Sequence, residues 1–303
     1  AEIIACNTDK QHLDATEADK KLMLGTSLTR GLGCGGFPAK GSEAAKETIQ
    51  EIKDSLKGAD MAFVCAGMGG GTGTGASPII AKVAKDSGSI VIGTVTMPFS
   101  IEKARVDKAE FGLRQLREVS DTVIVIDNNR LVNIAGNLPV KQAFAVANEL
   151  ISTMIRGIVE TIAVPSLVNL DFADVKAIMT GGGVAAIGVG TSDTANKVEE
   201  AVNCAMSNPL LDIKYEGADG ALIHIEGGPE MTLDDVSKVG ELITGNLDSE
   251  ANVIWGARVS EEMKGKLCLM VIITGVNSPW ILGKKKETEA AKQMSDDLGI
   301  STL

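Results

Sequence analysis

The sequence predicts an α/β protein. A Rossmann-like, mostly parallel sheet is expected over residues 1–138, a long central helix over 139–164, a second α+β domain over 165–283 and a tail over 284–303. Three observations carry that expectation. Strand-sized apolar runs alternate with helical patterns through the first part. An unbroken helical pattern of about 25 residues then follows Pro139, long enough to span about 37 Å. Beyond it the alternation changes texture, with strands separated by two capped amphipathic helices.

The most informative stretch is Cys65-Ala66-Gly67-Met68-Gly69-Gly70-Gly71-Thr72-Gly73-Thr74-Gly75. Met61–Cys65 reads as a buried strand leading into it. Ser77 and Pro78 read as an N-cap hydroxyl and a first-turn proline, so the spacing predicts a helix from Ile79 to Asp86, closed by Gly88. The glycines thus lie between a strand end and a helix N-terminus, where unpaired N–H groups and the helix dipole favour phosphate. Glycine allows close backbone approach, and the threonines add hydroxyl donors. A P-loop would place a lysine after the glycines, and none follows. Gly71-Thr72-Gly73-Thr74-Gly75-Ala76 meets a loose Gly-x-Gly-x-x-Ala dinucleotide pattern. The next strand, however, ends in Met97-Pro98 and not in the acidic residue that such a site uses.

Taken in order, Glu2–Cys6 reads as a strand ending at Asn7-Thr8-Asp9. That is the ligand-binding end of a strand, where an Asx-turn competes with a nucleotide contact. Leu28–Pro38 holds Gly31, Gly33, Gly35 and Gly36 ahead of a helix whose apolar face is Ala44, Ile49, Ile52 and Leu56. It reads either as a second anion loop or as a surface turn. Ser89–Val95 is a strand leading to Met97-Pro98-Phe99. Thr122–Ile126 is another, ending at Asp127-Asn128-Asn129-Arg130, where Asn128 suits a turn. The long pattern from Pro139 to Ala163 is apolar around much of its circumference, which predicts burial between two layers. Asp171 reads as an N-cap with Asp174 three residues on, a capping box. Val184–Val189, Ala221–Glu226, Asn252–Val259 and Leu267–Thr274 read as strands. Thr194–Ser207 and Leu233–Asn246 read as helices, the second led by Thr232. His224 stands alone on a strand as a sheet-face residue, and the tail from Lys284 is charged and helical in pattern to Leu298.

Composition narrows the classes. Of the 303 residues, 44% are apolar and only 3% aromatic, so the core must be aliphatic. A net charge of −11 argues against a nucleic-acid or anionic-membrane surface. The five cysteines form no Cys-x-x-Cys pair and the two histidines stand apart, which disfavours zinc and fits reduced cytosolic thiols. The longest apolar stretch is strand-sized, so no insertion into a membrane is expected, and no signal peptide is visible.

The Gly69–Gly75 run resembles the signature of the tubulin/FtsZ family, and other segments support that resemblance in the same order over nearly the whole chain, with the archaeal FtsZ branch most similar. The resemblance implies a GTPase domain that binds GTP with Mg²⁺ and polymerises head-to-tail with further copies of itself, in filaments at the mid-cell division site in the cytoplasm. By analogy, Asn7, Gly35, Gly36, Gly69, Gly70, Gly71, Thr72, Gly73, Thr74 and Gly75 surround the phosphates. Glu102 and Arg105 lie near the ribose. In the family the arginine follows the glutamate by four residues, where this chain has Val106; Arg105 comes one residue early, a shift of about 100° on a helix. Asn128 and Asn148 would contact guanine, with Phe144 stacked near it. FtsZ proteins usually carry aspartate where Asn148 stands, and tubulins asparagine. Asn169, Asp171 and Asp174 match the family's Asn-x-Asp-x-x-Asp catalytic loop, which acts on the γ-phosphate held by the next subunit. No residue is assigned as a metal ligand. The resemblance makes Glu2–Cys6 the family's second strand, so a first strand, loop and helix are expected upstream and the chain reads as a fragment. A C-terminal membrane adapter is a further implied partner. Two rivals stand beside this reading: a paralogue that copolymerises without efficient turnover, and an unrelated dinucleotide enzyme.

Overall fold

The computed structural model describes all residues except 165, 169, 181–182, 208–217, 246 and 277–303, together with the side chains of 133, 134 and 150. The tail at 284–303, and with it the expected adapter segment, lies outside the described residues.

The chain opens with β1 (Ile4–Asn7), α1 (Lys10–Ala15) and β2 (Lys20–Met23), and the two strands pair in parallel as a small sheet of their own. A short helix α2 (Thr26–Thr29) and the second glycine loop lead to α3 (Pro38–Glu47) and α4 (Ile49–Ser55). There follows the alternation that the sequence predicts: β3 (Met61–Gly67), α5 (Thr72–Asp86), β4 (Ile90–Met97), α6 (Ala104–Val119), β5 (Thr122–Asp127) and α7 (Asn128–Ala135). The long helix α8 (Val140–Ala163) is next. The rest is α9 (Phe172–Met179), β6 (Gly183–Ser192), α10 (Lys197–Met206), β7 (Gly220–Gly227), α11 (Leu233–Thr244), β8 (Asn252–Val259) and β9 (Leu267–Thr274).

Strands β3 to β9 form one seven-stranded sheet in the order β3-β4-β5-β6-β9-β7-β8. β3, β4 and β5 pair in parallel; β4 and β5 are buried on both faces, whereas β3, expected to be buried, is the edge strand, with Met61 and Phe63 half-buried and Cys65 exposed. β6 joins β5 through only two residue pairs, Thr122↔Gly183 and Val123↔Val184. Beyond that narrow joint β9 runs antiparallel to both β6 and β7, and β8 is parallel to β7. The main core is aliphatic: Ile92, Met97, Leu113, Leu116, Ile124 and Ile126 are all essentially inaccessible. A smaller cluster of Leu22, Leu24, Ala44, Ala45, Ile52, Ala76 and Val83 lies beneath β1 and β2.

Two expectations need correction. α5 begins at Thr72, so Pro78 lies inside the helix and Ser77 is not its cap; the buried Ser77 hydroxyl has no hydrogen-bond partner. Ser-Pro mimics a start signal, but close packing of α3 and the loops on Gly71, Gly73 and Gly75 accompanies a helix that starts about two turns further back. α8 is likewise not sandwiched along its length. It buries a stripe through Ala147, Met154, Ile158 and Thr161, while Val140 and Phe144 are 72% and 41% exposed.

Candidate functional site

The glycine loop turns the chain from the end of β3 into α5. The Met68 N–H donates to the Thr96 carbonyl on β4 at 2.9 Å, which holds the loop at the carboxyl edge of the sheet. Gly69 has φ +96°, a conformation open to glycine, and its N–H donates to Thr74 Oγ1 at 2.8 Å. α5 has no side-chain cap at Gly71. Among the described residues, the N–H groups of Gly70, Gly71, Thr72, Gly73 and Thr74 find no acceptor. Five free donors at the positive end of a 15-residue helix suit a phosphate chain.

The glycines of this run differ in their tasks. A methyl on Gly71 would lie 2.5 Å from Cys34 Cβ, one on Gly73 2.3 Å from the Gly67 carbonyl oxygen, and one on Gly75 2.0 Å from the Pro38 carbonyl oxygen. These glycines let α3 and the loops lie directly on the helix backbone. Gly70 alone of the run has nothing within 4 Å of its would-be methyl, so the open space lies there.

The second glycine loop closes over the same helix end. Thr8, fully buried, lies 2.6 Å from Thr72 hydroxyl to hydroxyl, and the Cys34 thiol donates to Thr8 Oγ1 at 3.3 Å. Asn7 makes the Asx-turn, its Oδ1 accepting from the Asp9 N–H at 3.1 Å. Asp9 in turn caps α1 through the His12 N–H. The contact to α5 from this strand end is therefore made by Thr8, which the sequence reading did not single out.

Glu102 and Arg105 come together at the lip of the loop. Glu102 accepts from the Phe99 N–H at 2.9 Å through one oxygen and pairs with Arg105 at 2.8 Å through the other. Arg105 reaches Gly69, since a methyl there would lie 3.0 Å from the Arg105 carbonyl oxygen and 3.1 Å from its Cβ. The shift in spacing is absorbed by the backbone. Ser100–Glu102 form one 3₁₀ turn, Lys103 takes φ 49° and ψ −105°, and only then does α6 start. No continuous helix links Glu102 to Arg105, so a rotation of about 100° per residue does not apply between them.

On the opposite side Asn128 is the first residue of α7, behind the cap Asp127. Its neighbour Asn129 accepts from the Ser100 N–H and hydroxyl at 2.9 and 3.0 Å, tying α7 to the loop after β4. Phe144 meets Phe99 edge-to-face, with ring centroids 6.2 Å apart at 69°. Asn148, one turn on, shares the exposed face of α8 with Phe144. No hydrogen bond links Asn128 to Asn148 among the described residues.

Asp171 and Asp174 form the expected capping box at the start of α9. The Asp171 N–H donates to Asp174 at 3.0 Å, and the Asp174 N–H to Asp171 at 2.9 Å. Asn169 lies outside the described residues. The approach to α9 is pinned to β8: Val168 bridges Ala257, and Leu170 packs where Gly256 leaves room. The far end of α9 is held by Thr122, whose hydroxyl donates to the Met179 carbonyl at 3.1 Å. Thr122 starts β5, whereas Asn128 follows that strand's other end. Among the described residues no hydrogen bond or ion pair joins this acid pair to either glycine loop.

Comparison with known proteins gives a consistent result. The tubulin/FtsZ family GTPase domain matches residues 1–136, and the FtsZ family C-terminal domain matches residues 183–277. The chain is 58% identical to cell division protein FtsZ 2 of Methanocaldococcus jannaschii, over 94% of this chain and 76% of that protein. It is 51% identical to cell division protein FtsZ 2 of Haloferax volcanii, over 96% and 73%. Among solved structures, an empty FtsZ dimer from M. jannaschii superposes with a TM-score of 0.82 at 45% identity, covering 91% of this chain and 80% of that one. A GTPγS-bound protofilament of CetZ2 from H. volcanii, at 22% identity, shares the fold with a TM-score of 0.76 over 98% and 90%.

Proposed function

The chain belongs to the tubulin/FtsZ family, and on that premise we propose that it binds GTP, hydrolyses it to GDP and phosphate, and does so in head-to-tail homopolymers serving cell division in the cytoplasm. The observation that carries the reading is the separation of two half-sites. Among the described residues, five unpaired N–H groups at the start of α5 suit phosphate, while the acid pair on α9, closed on itself in a capping box, makes no hydrogen bond or ion pair to either glycine loop.

In this reading Gly69–Gly75, Gly35 and Gly36 hold the phosphates, and Glu102 and Arg105 hold the ribose. Phe144, Asn128 and Asn148 hold guanine, where an asparagine amide can both donate and accept. Asp171, Asp174 and Asn169 of a neighbouring copy orient the water that attacks the γ-phosphorus as its bond to the β–γ bridging oxygen breaks. Mg²⁺ offsets phosphate charge in such transfers. Among the described residues no cluster of three carboxylate, thiol or imidazole groups is available to hold it, so it would enter with the nucleotide. The division into segments 1–138, 139–164 and 165–283 belongs to this proposal.

The test is specific activity across about two decades of protein concentration: a shared site gives turnover that rises faster than linearly. Mixing two inactive chains sharpens it. Gly70→Ala blocks one half-site and Asp174→Asn the other, so mixed filaments regain activity where intact halves meet. Activity that stays constant on dilution and is not restored by mixing would refute the shared site.

A further inference from the structure

The loop ahead of α3 takes a path open to few sequences, with φ of 76°, 80°, 59° and 76° at Gly31, Gly33, Gly35 and Gly36. Its base is anchored by the Gly33 N–H on the Thr8 carbonyl at 3.0 Å and by Cys34 against Thr8. Its tip is held differently. Among the described residues, the backbone groups of Gly35 and Gly36 have one partner, the Lys108 ammonium, 2.8 Å from the Gly36 carbonyl oxygen. The same ammonium lies 5.7 Å from the centre of the Phe37 ring, within cation–π range.

Lys108 sits on α6 three residues after Arg105, so one face of that helix meets both glycine loops, Arg105 through its backbone carbonyl and Cβ at Gly69 and Lys108 through its ammonium at Gly36. The tip also borders the start of α5, because the Phe37 nitrogen lies 3.0 Å from where a Gly71 methyl would stand. A half-buried ammonium therefore stands at the rim of the free N–H array with donors to spare: it has three, and Gly36 takes one. A P-loop draws its lysine from the loop itself, and here the glycine run supplies none.

On the GTPase reading, which places the Gly35–Gly36 tip among the residues that hold the phosphates, we infer that Lys108 is a specificity-determining residue. Its ammonium bridges the Gly36 carbonyl and the terminal phosphate of a nucleoside triphosphate, so the loop closes on GTP in preference to GDP. The cation that P-loops carry within the loop is delivered by a separate helix. A diphosphate leaves the ammonium with Gly36 and Phe37 alone.

The experiment measures affinities of the full chain for GTP and for GDP, by competition against a fluorescent GDP analogue, with wild type, Lys108→Met, Lys108→Gln and Lys108→Arg. Loss of one charge-assisted contact predicts a Kd for GTP about tenfold weaker in Lys108→Met, with the GDP value within about twofold of wild type. Lys108→Gln keeps a donor for Gly36 without the charge and should show the same split, which a purely structural latch would not. Lys108→Arg should retain most of the preference. Equal weakening for both nucleotides in Lys108→Met with recovery in Lys108→Gln, or an unchanged ratio in both, overturns the inference while leaving GTP binding intact. A wild-type chain that binds neither nucleotide overturns the GTPase reading itself, and this inference with it.

Discussion

The glycine loop offers a test in which two substitutions of the same kind should have opposite consequences. At Gly75 a methyl would stand 2.0 Å from the Pro38 carbonyl oxygen and 2.7 Å from the Ser42 nitrogen, both backbone atoms of α3. Ordinary carbon contacts begin above about 3 Å, so α3 must retreat by roughly 1 Å along a well-packed face, at about 1–3 kcal/mol. Gly75→Ala should therefore lower the melting temperature by roughly 3–10 °C. At Gly70 nothing lies within 4 Å and φ is not positive. Gly70→Ala should leave the fold alone, or stabilise it by about 0.4–1 kcal/mol through the unfolded chain. Its methyl occupies the space assigned to phosphate, and losing one charge-assisted contact there predicts GTP binding about 10–100-fold weaker. Calorimetry without nucleotide and titration with GTP read the two effects separately. If Gly70→Ala binds GTP as wild type does, the open space beside Gly70 is not the phosphate seat. If it melts as early as Gly75→Ala, the residue is packed and the geometric argument fails.

Two further outcomes follow from single groups. Asp171→Ala removes an N-cap and should destabilise the chain by about 1 kcal/mol, whereas Asp171→Ser keeps a capping oxygen and stability; both should lose GTP turnover, so equal turnover in Asp171→Ser and wild type would reduce the residue to its cap. His224, on the half-buried face of β7, is held below its ordinary value of 6.5 by burial first and by the nearby Arg258 second, with Glu226 paired to that arginine at 3.6 Å. The neutral form is the one that the fold accepts, so its contribution is complete above 6.5 and is lost as pH falls through the lower folded value. His224→Gln should flatten the loss of stability just below that pH, and an unchanged slope in denaturant titrations would show that the imidazole is not responsible.

Much of the fold around the candidate site was legible in the chain. Asn252–Val259 and Leu267–Thr274 are strands with the limits expected from their apolar runs, and the caps at Asp171 and Thr232 form the reciprocal hydrogen bonds that their spacing implies. Such features are local, set within one or two turns by period and side-chain reach. The start of α5 was misjudged because Ser77-Pro78 carries a stronger local signal than five glycines and threonines, and only contact with α3 and α6 favours a helix there. Thr8 and Lys108 were missed for a related reason. Each matters through a residue 64 or 72 positions away in the chain, Thr72 and Gly36, and no local period reports such a pairing.

The sequence by itself determined the alternation of strands and helices, the aliphatic core and the presence of a glycine-rich turn between a strand end and a helix N-terminus, because each depends on residue type and short-range spacing. The tertiary structure alone decided which glycine faces open space, how a positive φ at Lys103 returns Arg105 to the loop, and that the helix carrying the acid pair is held by β8 and β5, with no hydrogen bond or ion pair from the pair to the glycine loops among the described residues. Those outcomes depend on where separate segments meet in space. That meeting is set by the packing of many side chains at once, so no single stretch of the chain carries it.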